Sequence, residues 1–340
     1  MNKAANNPTE VLILSIPETA GSALYGMIDV LCSAGNLWQT LVRSRDESSL
    51  FNVRVVSPSM TPFTCGNGIP VHPNVSLNDN PEAEIVILPE IWLGPDEISG
   101  RYPGLIQWII KRYKAGSNLY SACSGSILLA ETGLLDGKQA TSHWGYQDLF
   151  KARYPKVRFD PASNLVYADP ARQIVTAGGT TSWHDLALHI ISRHGSPGDA
   201  MHIAKVYLLK WHDEGQLPYS PLVTNTPHAD SVVKQAQIWM GSNFRNIDAI
   251  KYVIASTSVP ERSFKRRFKA ATGVTLIEYL QNLRIEEAKS MLENSDRAVD
   301  DISAEVGYLD CSFFRRLFKR LTGLTPSNYR RMFQSFEFET

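Results

Sequence analysis

The chain has 340 residues, with 34 Lys+Arg matched by 34 Asp+Glu, 43% hydrophobic and 10% aromatic residues. That length suits two domains, each able to bury a core, and the zero formal net charge excludes a chain that is basic throughout. Four cysteines (Cys32, Cys65, Cys123, Cys311) lack paired spacing, so neither a zinc pattern nor a disulfide framework follows, and the sequence calls for no metal and no cofactor. The N-terminal apolar run VLILSI is too short for a signal sequence, and no stretch approaches the roughly 20 apolar residues of a membrane span. A soluble, cytoplasmic protein without membrane partners is expected.

In chain order, residues 11–16 (VLILSI) read as a buried strand, followed by a loop and an apolar helix around Leu24–Cys32. Phe51–Ser57 and Glu84–Leu88 are further strands, Tyr102–Lys114 a helix, Asn118–Ala122 a strand and Gly125–Glu131 a helix. The strand Gln173–Thr176 precedes the helix Trp183–His194, and a helix around Gly198–Trp211 closes the domain. This alternation predicts an α/β sandwich, flavodoxin-like with a mostly parallel sheet, over residues 1–212. Asp213–Asp230, with three prolines and little apolar periodicity, reads as a linker, and 231–340 as an all-α domain.

Within that domain one stretch occurs twice, fifty residues apart. SFKRRFKAATGVTLIEYL (263–280) and FFRRLFKRLTGLTPSNYR (313–330) agree at eight of 18 positions. A repeat of this period points to a duplicated supersecondary unit. In each copy phenylalanines at i and i+4 share one helix face, basic residues occupy the others, and a Thr-Gly pair ends the helix. Arg262, Lys265, Arg266, Arg267 and Lys269 crowd one copy; Arg315, Arg316, Lys319 and Arg320 crowd the other. The expected motifs are two helix-turn-helix units: Ile247–Ser256, a turn at Ser258–Pro260 and Glu261–Ala270, then Val299–Glu305, a turn at Gly307 and Cys311–Leu321. The helix Leu276–Glu293, about 27 Å long, separates them. Such a spacing suits two successive major grooves of double-stranded DNA.

This region resembles the DNA-binding domain of AraC/XylS-type transcription regulators, and ISAEVGYLDCSFFRRLFKRLTGLTPSNYRR follows the family pattern nearly throughout. The resemblance implies base contacts from Arg262, Lys265 and Arg266 in the first copy and Cys311, Ser312, Phe313 and Arg316 in the second. Lys269, Arg315 and Lys319 would meet phosphates.

In the N-terminal domain, NLYSACSG (118–125) places Cys123 at a strand-to-helix elbow, where a helix N-terminus can lower a thiol's pKa. His143 is expected at the end of the next strand. SACSGSILLAETGLLDGKQATSHW, with the later TAGGTTSWHDLALHI, resembles the class I glutamine amidotransferase-like domains of the PfpI superfamily, more narrowly those fused to AraC-type DNA-binding domains. Three departures argue against catalysis. Ser124 stands where peptidase-like members carry His, Ala23 where others carry Glu, and Glu90-Ile91 where a glycine pair helps form an oxyanion hole. A ligand-sensing and dimerising domain is therefore expected, with a pocket beyond the strand ends. Its candidate lining is Glu18, Ser22, Glu90, Trp92, Cys123, Ser124, His143, Trp144, Thr181 and Trp183. A carboxylate among tryptophans suits an amine, amino acid or betaine-like effector. His184, His189 and His194 read as surface or capping residues.

The expected function is a sequence-specific transcription regulator, an activator acting as a homodimer, with RNA polymerase as a further partner. The alternatives are an amidase, peptidase or isonitrile hydratase-type enzyme using Cys123 and His143 with a DNA-binding appendage, or an architectural DNA-binding protein.

Overall fold

Continuous apolar runs such as VLIL (11–14) and IVIL (85–88) have the composition of strands covered on both faces, and all eight of these residues are buried. They form the centre of a seven-stranded sheet in a computed structural model that describes residues 7–44, 48–92, 99–223 and 228–334. The strands are β1 (Thr9–Leu14), β2 (Phe51–Ser57), β3 (Val75–Ser76), β4 (Ile85–Leu88), β5 (Asn118–Ala122), β6 (Leu165–Tyr167) and β7 (Ile174–Ala177). Their order is β6-β7-β5-β4-β1-β2-β3. All neighbours run parallel except β6, which pairs antiparallel with β7.

Alternate residues of β1 serve opposite cores. Val11 and Ile13 pack with α1 (Gly21–Cys32), α4 (Trp183–His194) and α5 (Pro197–Val206). Leu12 and Leu14 pack with α2 (Pro103–Lys114) and α3 (Gly125–Glu131). The result is the expected three-layer α/β sandwich, flavodoxin-like in its mostly parallel sheet. Several boundaries differ. The strand preceding His143, Gln139–Ala140, lies outside this sheet and pairs with Arg158–Phe159 in a separate ribbon. The helix expected over Gly198–Trp211 ends at Val206, and Leu208 adopts φ 54°, which a helix cannot continue through.

The chain divides into compact units at Gln216/Leu217. The stretch read as a linker, Asp213–Asp230, is shared between them where it is described. Gln216 is buried in the first unit, while Leu222 N–H donates to Glu286 Oε1 at 2.8 Å in the second.

The second unit is helical: α6 (Ser231–Asn243), α7 (Ala249–Ser256), α8 (Glu261–Thr272), α9 (Leu276–Asn294), α10 (Val299–Glu305), α11 (Cys311–Thr322) and α12 (Pro326–Phe333). It holds two cores. Leu276, Tyr279 and Leu280 of α9 join the first with Phe264 and Phe268. Ile285, Ala288 and Leu292 join the second with Phe314 and Phe318. Between them Arg284, 8% exposed, donates to the carbonyls of Phe244 (2.8 Å) and Asn246 (3.1 Å) in the first half and of Gly307 (3.0 Å) in the second. One guanidinium thus ties the two helix-turn-helix halves to the shared helix.

Candidate nucleic-acid interface and ligand site

The eight residues identical between the two repeats sort by what the fold requires. Phe264/Phe314 and Phe268/Phe318 are fully buried. Phe268 meets Tyr279 edge-on at 5.4 Å, and Phe318 meets Tyr329 at the same distance. Gly273 and Gly323 close α8 and α11 in the left-handed conformation (φ 79° and 77°), and Thr272 and Thr322 donate back to the carbonyls of Phe268 and Phe318 at 2.8 Å. Thr275 and Thr325 cap the next helices. Six of the eight identities are therefore explained by core and caps. The remaining two, Arg266/Arg316 and Lys269/Lys319, are exposed, and their side chains make neither hydrogen bond nor ion pair among the described residues.

The other basic positions differ. Lys265 is paired with Glu261 at 2.5 Å, Arg267 holds Asp230 through Nε and a terminal nitrogen at 2.8 Å each, and Arg315 pairs with Asp300 at 2.7 Å. The same Asp300 oxygen accepts the Cys311 thiol at 2.7 Å, so Cys311, expected against a base, is engaged within the protein. Arg315 and Cys311 help hold the Asp300 carboxyl below its ordinary value. Arg262 and Ser312 are exposed, and Phe313 presents an exposed ring on the same helix.

In the first unit β5 runs into Cys123 and then α3. Cys123 adopts φ 51°, the left-handed region that a side chain rarely occupies, so the elbow is strained as the sequence suggested. Gly125 makes the turn possible, since a Cβ there would stand 2.1 Å from the Leu88 carbonyl oxygen. The thiol, however, is only 2% exposed and lies near Glu90. Burial first, and the Glu90 charge second, push it up to about 12. The expected lowering by the helix N-terminus is overridden by desolvation.

Ser124 closes the elbow from the other side. Its hydroxyl donates to the Ile91 carbonyl at 2.6 Å and accepts from the Ile91 N–H at 2.9 Å. The backbone donor after β4 is thereby occupied within the protein. Glu90 is 7% exposed; its Oε1 accepts from Thr180 at 3.3 Å, its Oε2 makes no hydrogen bond of normal geometry among the described residues, and Trp92 and the Cys123 thiol lie close enough to favour its charged form. Burial raises its carboxyl above the usual range. Tyr146 lies close to Cys123, Ser124 and Glu90, and burial raises its hydroxyl above the ordinary value. His143 is half-buried, depressed by desolvation, and its Nδ1 accepts from the Gly145 N–H at 3.0 Å, which leaves the ring proton on Nε2.

The structure thus gathers Glu90, Trp92, Cys123 and Ser124 around one elbow. Trp144 is tilted against His143 at 4.7 Å. Others among the expected lining residues are placed differently. Glu18 is already paired with Arg101 at 2.5 Å and accepts from the Tyr102 hydroxyl at 2.6 Å. Trp183 is buried in the core against α1, where a Cβ on Gly26 would meet its ring at 2.3 Å. Thr180, not Thr181, reaches Glu90, and Ser22 and Thr181 are exposed. His189 and His194, expected at the surface, flank buried Tyr120, whose hydroxyl lies 2.8 Å from His194 Nε2. Thr180, Tyr146, Ser142 and Gln216 were not anticipated. Their roles come from contacts across 19 to 90 residues that no local pattern encodes. Among the described residues no group of His, Cys, Asp and Glu could hold a metal, and no helix is long and apolar enough to cross a membrane.

Comparison with known proteins agrees with both halves. The DJ-1/PfpI family profile matches residues 34–193 and a helix-turn-helix domain profile matches 254–332. HTH-type transcriptional regulator CdhR of Pseudomonas aeruginosa is 27% identical over 292 residues, covering 85% of this chain and 84% of that protein. HTH-type transcriptional regulator ArgR of the same organism is 26% identical, covering 66% and 68%. Drosophila melanogaster DJ-1beta shares the fold of the first unit, with a TM-score of 0.50 at 18% identity over 60% of this chain and all of that one. The chain thus joins an N-terminal DJ-1/PfpI-family domain to a C-terminal AraC-type helix-turn-helix domain.

Proposed function

We propose that this protein is a cytoplasmic, effector-responsive activator that binds operator DNA through α8 and α11 and senses a small metabolite at the Glu90–Cys123 elbow. The observation that carries the DNA reading is the retention of Arg266/Arg316 and Lys269/Lys319 in both repeats, exposed and unpaired, where neither core nor cap requires them. Unpaired guanidinium and ammonium groups at matched positions can donate to guanine edges or phosphates without first breaking a bond within the protein. The second helix adds the exposed Phe313 ring, which suits a thymine methyl.

The effector reading rests on Glu90. A carboxyl 7% exposed, with one oxygen lacking a well-formed hydrogen bond among the described residues and the half-exposed Trp92 indole beside it, is completed by a positively charged nitrogen. An amino acid, polyamine or betaine-like compound has that chemistry. Calorimetry with arginine, spermidine and choline on wild type and Glu90→Gln tests it; binding that ignores the substitution ends the cation reading. Homodimerisation through the first unit and contact with RNA polymerase complete the proposal.

The strained Cys123 elbow is the one feature that favours a second reading, an amidase, peptidase or isonitrile hydratase-type enzyme. A protonated thiol with the Ile91 N–H already bound to Ser124 argues for a sensor instead. Turnover of an amide or isonitrile by the full chain, lost in Cys123→Ala, decides for the enzyme.

A further inference from the structure

Gln216 is the last residue of the first unit, and its side chain is buried beside the segment that leads to the elbow. It is 3% exposed. Its amide nitrogen Nε2 lies within donating distance of three acceptors: Thr141 Oγ1 at 3.1 Å and the Ser142 and Ser163 carbonyls at 3.0 Å each. Its Oε1 accepts the Trp144 N–H at 3.2 Å. Its own N–H donates to the Ala162 carbonyl at 2.8 Å. The orientation of the amide is set by these partners, because reversing it would turn a carbonyl oxygen toward two others. The seat also depends on Gly178, where a Cβ would stand 2.4 Å from the amide carbon and nitrogen of Gln216.

Two short routes lead from this amide to the elbow. Ser142, whose carbonyl receives Gln216, donates its hydroxyl to the Cys123 carbonyl at 2.8 Å. Gly178 and Gly179, against which Gln216 lies, are followed by Thr180, which donates to Glu90. The segment is anchored again four residues earlier, where His212 N–H and Nδ1 donate to fully buried Asp185 at 3.1 and 2.9 Å. In the chain, the helix-turn-helix unit begins at the next residue, Leu217.

We propose that Gln216 is the positioning residue that couples the Glu90–Cys123 site to DNA binding. Movement of Thr180, or of residues 141–144 that follow the Gln139–Ala140 strand, when the site is filled changes the acceptors that hold the amide. The side chain is then seated or released, and with it the start of the second unit. The inference rests on the elbow being the sensing site. It adds a specific two-state element, an amide one of whose acceptors, Ser142, itself binds the elbow at the Cys123 carbonyl.

A double-mutant cycle in the full chain tests it, using an operator selected from random duplexes by the wild-type protein and fluorescence anisotropy as readout. Glu90→Ala is expected to change operator Kd by about fivefold or more, in the range of ordinary allosteric coupling. In a Gln216→Leu background, which keeps volume and removes the hydrogen bonds, the same substitution is expected to change Kd by less than about twofold. Thr141→Val, which removes one acceptor from the opposite side, weakens the coupling in the same direction, and thermal melts of every variant establish that both units remain folded. An equal effect of Glu90→Ala with and without Gln216 overturns the relay and leaves the sensing site standing. No effect of Glu90→Ala in the wild-type background overturns the sensing site, and the relay with it.

Discussion

The hydroxyl of Ser124 holds both backbone polar groups of Ile91, donating at 2.6 Å and accepting at 2.9 Å. A residue that follows a nucleophile elbow is thereby spent on closing the loop that would otherwise offer an oxyanion donor. With the thiol pushed up to about 12, Cys123 is protonated at neutral pH. Alkylation of the Cys123 peptide by iodoacetamide should therefore stay slow at pH 7 and rise only in strongly alkaline solution. Mass spectrometry across pH measures this, and a rise centred near neutrality contradicts the burial argument. Because the folded pKa exceeds the unfolded one, the contribution of Cys123 to stability is full below the ordinary thiol value and declines as pH rises from there toward 12.

Glu90 is raised in the same sense, so the wild type is penalised increasingly as pH climbs above the ordinary carboxyl value, by about 1.4 kcal/mol for each unit of upward shift. Glu90→Gln is expected to stabilise the first unit at pH 7.5 and to give a smaller gain at pH 4. Thermal melts at both values check the sign.

His212 carries the opposite sign. Its hydrogen bond to Asp185 raises its pKa, so the pair's contribution is complete below the ordinary histidine value and is lost as pH rises through the elevated one. His212→Gln should flatten the fall in stability of the first unit across neutral pH. It should also lower stability at pH 6 by about 1–3 kcal/mol, the usual consequence of removing a charge-assisted bond to a buried group.

Arg284 donates to backbone carbonyls drawn from both halves of the DNA-binding unit and lies over the Tyr308 ring. Arg284→Met keeps the helix and leaves those carbonyls without their donor. Each half keeps its phenylalanine core, so helical content should survive while operator affinity falls at least about tenfold, as two recognition helices lose their fixed spacing. Circular dichroism with anisotropy separates the two effects.

Asp300 pairs with Arg315 at 2.7 Å, so on the proposed reading it competes with a DNA phosphate for that guanidinium. Asp300→Ala should free that guanidinium and strengthen binding to non-operator duplexes, steepening the salt dependence by about one phosphate contact.

Much of this was legible in the sequence because it is written locally. The runs VLIL and EIVIL name buried strands, and the twin F-x-x-x-F…TG patterns name two capped helices whose phenylalanines are fully buried. Pieces of only two or three residues, such as β3 and β6, carry too little pattern to be seen. The pKa of Cys123 was misjudged in sign because a local rule about helix ends met a tertiary fact, burial beside Glu90. Gln216 looked like part of a proline-rich connector, since nothing near it in sequence announces Thr141 or Gly178. Trp183 has the composition of a ligand contact but fills the space left by Gly26.

The central claim, that the two repeats read DNA through Arg266 and Arg316, is tested most directly by footprinting and operator titration of the full chain and of Arg266→Ala and Arg316→Ala. The account predicts protection of two adjacent major grooves on one face of the duplex. It also predicts a loss of about 1–3 kcal/mol for each substitution, with unchanged helical content. Wild-type affinity in either variant, or protection confined to a single groove, contradicts it.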